Sequence, residues 1–179
     1  MMPLRILLPA AAMVLAATPA YAADLATIGC IATKIELPVR AQIAIDVERN
    51  LTESGTRHSY DARVTNAISL AGKLCAAENN WSEAALKPAM LYALASLGWP
   101  TAQRIATEHG FDTGAMEEVW AALPEETRNS PLPQPVYETL VKTYVTEEEK
   151  QTRANAELVA DCFGFLSIIQ YSSYEFSQA

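Results

Sequence analysis

The chain has 179 residues, 50% of them hydrophobic and 19% charged, with 13 Lys and Arg against 21 Asp and Glu for a formal charge of −8 at pH 7. That length is enough to bury a genuine core, and a single domain is the expected organisation. The acidic balance repels phosphate backbones and anionic membrane surfaces, which excludes a nucleic-acid reader and favours cationic partners.

Residues 1–22 read as an export leader, to be cleaved. Arg5 supplies a positive start, Ile6 to Ala17 form an apolar run broken only by Pro9, and Ala20-Tyr21-Ala22 offers the small-x-small pattern of a cleavage site. The run is about a dozen residues, whereas a bilayer span needs about 20. No later stretch is long and charge-free enough, so no transmembrane segment is expected and the chain is placed in the periplasm or outside the cell. The alternative, a lipoprotein leader ending at Cys30, is disfavoured by Thr27 three residues before the cysteine and by Asp24 between the apolar run and it.

The remaining 23–179 read as a single helical domain, because apolar residues recur at helical spacing and period-2 alternation is nearly absent. A first short helix is expected from about Leu25 to Ile35. Pro38 then occupies the first turn of a second, with Val39, Ile43, Val47 and Leu51 on one stripe, ending before Gly55. Ser59 or Asp61 caps a third that runs to about Ala77, with Val64, Ala67, Ile68, Ala71, Leu74 and Cys75 on its apolar face, and Asn79-Asn80 forces a turn. Ser82 caps the next, and Pro88 implies a kink or restart before the face of Met90, Leu91, Leu94 and Leu97 ends at Gly98. Trp99-Pro100 opens a short helix to His109, Gly110 closes it, and Asp112 or Thr113 caps another carrying Met116, Val119, Trp120 and Leu123.

The stretch 124–135 holds four prolines and reads as a surface loop or lid. Pro135 starts a helix with Val136, Tyr137, Leu140, Val141 and Tyr144 in register, and Thr146 to Glu149 forms a capping box for the last and longest helix. In that helix Leu158, Val159, Cys162, Phe163, Phe165, Leu166, Ile168 and Ile169 cover nearly the whole circumference, as suits a central position. The expected fold is all-α, an irregular orthogonal bundle of about seven to eight helices around a central apolar C-terminal helix.

Three cysteines in an exported chain allow one internal disulfide. Cys30 to Cys75 is favoured, because it would pin a terminus otherwise prone to fray, with Cys162 a buried thiol. Cys75 to Cys162, Cys30 to Cys162 and an intermolecular bridge are the alternatives.

Motifs that carry chemistry are few. Ile105-Ala106, Gly110-Phe111, Met116 and Val119 resemble a helix-turn-helix, but the second helix would present Glu117 and Glu118 to phosphates, so the pattern reads as a packing hairpin. There is no nucleophile elbow, phosphate-cradling glycine loop, haem-attachment motif or paired-cysteine redox motif. Neither His58 nor His109 has a metal-ligand spacing, and His109, just before Gly110, suits the negative end of a helix. Glu117-Glu118, Glu125-Glu126 and Glu147-Glu148-Glu149 are adjacent runs whose members point apart on a helix, so they read as solvated faces. Asp161 interrupts the most apolar helix and needs a cationic or hydrogen-bonding partner if buried, and His58 lies in a polar turn; these two are the candidate polar-site residues. Trp99 and Trp120 are expected in the core, while Tyr171, Tyr174 and Phe176 lead toward a polar C-terminus and form a candidate interaction patch. Two glycosylation sequons, at Asn50 and Asn80, carry little weight behind an alanine-rich leader of bacterial type.

These features point first to a non-enzymatic exported protein that acts through protein contacts or as an accessory subunit, with a partner that charge makes cationic. A carrier of a small apolar ligand is the alternative, motivated by alanine-rich, kinked helices around Met90 and Phe163. A hydrolase with a carboxylate or Cys/His site comes third. No cofactor and no metal are expected.

Overall fold

The computed structural model describes residues 23–53, 55 and 57–179; the expected leader at 1–22 lies outside the described residues. Among these are eight α-helices, two short 3-10 segments and no strand, so the chain is all-α.

The first expected helix is split. Asp24 and Thr27 bond their own local backbone, Asp24 Oδ1 accepting from the Ala26 N–H at 3.0 Å and Thr27 Oγ1 donating to the Asp24 carbonyl at 2.7 Å. Such bonds compete with helix, and a 3-10 turn at Leu25–Thr27 precedes α1, Cys30–Lys34. Helix α2, Leu37–Thr52, carries Pro38 in its first turn and buries Ile43 and Val47, but also Asp46 and Asn50. Helix α3, Ala62–Asn79, is capped by Asp61, which accepts from the Arg63 N–H, and ends on left-handed Asn80 at φ 54°. Leu74 of its expected buried face is 49% exposed.

Helix α4, Glu83–Glu108, replaces the two helices expected there and runs through both Pro88 and Pro100. Each proline removes the N–H that would bond the carbonyl four residues back, yet packing holds the helix together. Ala85, Ala89, Ala93, Ala95, Gly98, Ala102, Ile105 and Ala106 are all buried along it. Gly98 does not end a helix; it is where neighbours come closest. A Cβ there would lie 2.9 Å from Phe165 and 3.0 Å from Val47. Gly110, at φ 77°, turns the chain into α5, Thr113–Ala122, and Ile105, Ala106, Phe111 and Met116 are buried around this hairpin. Glu117 receives hydrogen bonds from Trp99 Nε1 and Gln103, both at 3.0 Å.

The proline-rich stretch is not wholly loop: it contains α6, Glu125–Arg128, and Asn129 accepts a 2.8 Å hydrogen bond from Gln170 on the last helix. Helix α7, Gln134–Tyr144, follows. The expected capping box at Thr146 does not start the last helix; a 3-10 turn, Glu148–Lys150, intervenes. Thr152 caps α8, Arg153–Gln178, by accepting from the Asn155 N–H. At 26 residues α8 equals α4 and is not longer.

Helix α8 is central as expected. It packs most extensively on α4 and also meets α2, α5, α6 and α7. The core has two clusters. One joins α1, α2, α3, α4 from Ala85 to Ala102 and Phe176 at the end of α8; the other joins the end of α4 with α5, α7 and the first half of α8. Cys30 and Cys75 are disulfide-bonded, tying α1 to α3 in the first cluster, and Cys162 is a buried free thiol in the second.

Candidate functional site

The site begins with the buried polar face of α2. Asp46, with no exposed surface, accepts from Gln42 Nε2 at 3.0 Å, Arg49 Nη1 at 3.1 Å and the Asp61 backbone N–H at 2.8 Å. Asn50 bonds both backbone groups of Ser59: its Oδ1 accepts at 3.2 Å and its Nδ2 donates at 3.0 Å. Arg49 also donates to the Ser59 carbonyl. A buried charge persists only with such partners. The connection between α2 and α3 is thereby held at Ser59 and Asp61, and it carries His58 and Tyr60 toward α8.

Asp161 stands on α8 facing that connection, with its Oδ2 3.4 Å from His58 Nε2 and side-chain exposures of 27% and 46% for the acid and the imidazole. The structure therefore joins the two residues of the expected polar site. Burial pushes the Asp161 carboxyl up to about 6; the neighbouring His58 opposes that rise and the Glu157 carboxylate adds to it. Tyr60 is raised by burial and by the charges of Asp46 and Asp161, and Tyr137, on α7, by burial and Asp161.

Beside this pair, between α4 and α8, lies a cavity of about 270 Å³ lined by His58, Tyr60 and Asp161 at its polar end and otherwise by Leu91, Leu94, Ala95, Gly164, Phe165 and Ile168. On the other side of the pair a second depression, about 300 Å³, is bounded by Asn50, Glu53, Gly55, Glu157 and Ala160. Glu157 is engaged there by Arg153 Nε at 2.6 Å and the Gly55 N–H at 3.0 Å. His58 and Asp161 form the wall between the two spaces.

The other expected site residues lie elsewhere. Phe176 is not part of a surface patch: it is fully buried, because its ring packs edge-on against Trp81 at 5.0 Å. Tyr174 is 38% exposed, and Tyr171 lines a shallow depression with Pro88 and Leu91. His109 is at the C-terminal cap of α4, its Nδ1 3.3 Å from Asn155 Oδ1. Cys162 has a thiol pushed up to about 12 by burial and by Asp161, which keeps it protonated and poorly nucleophilic. Among the described residues no group of His, Cys, Asp and Glu is placed to hold a metal ion, and no helix is long and apolar enough to cross a membrane.

Sequence reasoning did not find Tyr60 or the cavity walls. The signal was present in the spacing of Leu91, Leu94 and Ala95 on one face of α4, and in Gly164 opposite them, but the same spacing describes an ordinary core helix. Comparison with protein-family models, with curated proteins and with solved structures finds no match.

Proposed function

We propose that this is an exported binding protein of the periplasm that holds a small, largely apolar ligand in the cleft between α4 and α8, with His58 and Asp161 meeting the ligand's polar end. The observation that carries this reading is the apolar cavity with that pair and Tyr60 at its polar end. Ligand sites are concave, mostly apolar and supplied with a few convergent polar groups, typically at about 300–1,000 Å³. The cavity, at about 270 Å³, lies just below that range, which suits a small molecule. The leader-like first 22 residues and the Cys30–Cys75 disulfide support export to an oxidising compartment.

Protein contact is the second reading, favoured by Leu91, Ile168 and Tyr174, which are 41%, 42% and 38% exposed on α4 and α8. The cleft moves it behind ligand binding, since a concave site with polar groups at one end suits a small molecule better than a flat partner. A cysteine hydrolase loses its support, because two thiols are consumed in the disulfide and the third is buried.

Native mass spectrometry of the protein purified from its own host tests the reading. Noncovalent mass that disappears on denaturation, and is diminished in an Ile168→Trp variant that narrows the cavity, is the expected result. A clean dimer or a captured subunit with no small molecule supports protein contact instead and overturns the ligand reading.

A further inference from the structure

Resting on the reading of the cleft as a ligand site, we propose that its ligand is a small organic monocation, an amine whose protonated nitrogen takes the place of His58 on Asp161 while its hydrocarbon portion fills the cavity between α4 and α8. The cavity walls decide the hydrocarbon portion: Leu91, Leu94, Ala95, Phe165 and Ile168 offer no hydrogen-bonding side chain. The polar end decides the charge. Among the described residues the polar partner of Asp161 is His58 Nε2, at 3.4 Å, beyond the usual range of about 2.7–3.2 Å for a nitrogen donor. A partly buried carboxylate so loosely held gains most from a close, charge-assisted N–H donor.

His58 can yield that place without unfolding its surroundings. The backbone next to it is held at Ser59 by Asn50 and Arg49, whereas the imidazole is nearly half exposed, so its ring can swing outward about its own side-chain torsions. Past the pair, Glu157 is already held by Arg153 and the Gly55 N–H, so the charge facing the cleft is that of Asp161, within a chain at −8 overall. That charge attracts a cation and repels a carboxylate or phosphate. A carboxylate would sit beside Asp161, charge against like charge, so charge complementarity selects the amine.

Isothermal titration of the purified protein, disulfide intact, at pH 7.5 with three ligands of one chain length separates the choices: hexylammonium, 1-hexanol and hexanoate. Hexylammonium is expected to bind at least tenfold more tightly than either of the others, a difference of about 1.4 kcal/mol. Asp161→Asn is expected to abolish that advantage while leaving 1-hexanol binding in place, which also reports that the variant's cleft is folded. Ile168→Trp should weaken all three alike. Binding of 1-hexanol or hexanoate as tight as that of the amine, or an amine preference unchanged in Asp161→Asn, overturns the inference and leaves the cleft reading standing. Failure of all three to bind overturns both.

Discussion

Asp161 is the residue at which stability and binding pull in opposite directions. Its folded pKa of about 6 lies above the ordinary carboxyl value of 3.8. Between those values the folded chain keeps a proton that the unfolded chain has lost, so ionising Asp161 costs stability as pH rises through 6. At 1.36 kcal/mol per pH unit the full cost is about 3 kcal/mol, which the carboxyl's partial exposure reduces to about 1–2 kcal/mol. Asp161→Asn is therefore expected to be more stable than the parent by about that amount at pH 7.5, with the gain gone below pH 4. Urea denaturation at the two pH values reads it; a variant less stable at pH 7.5 would refute the account. The need of Asp161 for a partner was legible in the sequence, because an acid inside an apolar helical run must find one. That the partner is His58, about a hundred residues earlier, was not, since nothing local links a turn residue to a distant helix.

Helix α4 shows how tertiary packing overrides local signals. Pro88, Gly98 and Pro100 each argue for a break, and the sequence predicts two helices; the structure has one, because its alanine-rich face lies flat against α8 and the lost hydrogen bonds are outweighed by burial. One turn before Pro100 lies a separate cost: among the described residues the buried Ser96 hydroxyl has no hydrogen-bond partner. Ser96→Ala removes that orphan group and adds helix propensity, so it is expected to stabilise the protein by about 1 kcal/mol and raise Tm by about 2–4 °C. Thermal unfolding followed by circular dichroism checks this, and a lowered Tm would mean that the hydroxyl has a partner in solution. Local signals also leave the start of α8 open: Thr146 and Thr152 are both competent caps, and the turn at Glu148–Lys150 decides that Thr152 is used.

At the scale of the whole molecule, α4 and α8 run through both core clusters, and the cavity lies midway along them, by Leu94, Ala95, Gly164 and Phe165. The Cys30–Cys75 bridge stabilises only the first cluster, closing a separation of 45 residues. Its reduction is expected to lower stability by roughly 2–4 kcal/mol, measured as a shift in the urea midpoint with and without reductant. An unchanged midpoint would mean that the apolar packing of α1 on α3 suffices by itself. The helical class and the central apolar helix were legible in the residues, and so was one disulfide, with Cys30–Cys75 favoured among several pairings, because periodicity, capping chemistry and cysteine economy act over a few turns of chain or through composition alone. The continuity of α4, the burial of Phe176 under Trp81, the meeting of His58 with Asp161 and the cavity beside them were decided only by tertiary structure. Each depends on which faces of distant helices come together, and helical spacing marks a face as apolar without saying what will cover it, or that part of it will be left uncovered.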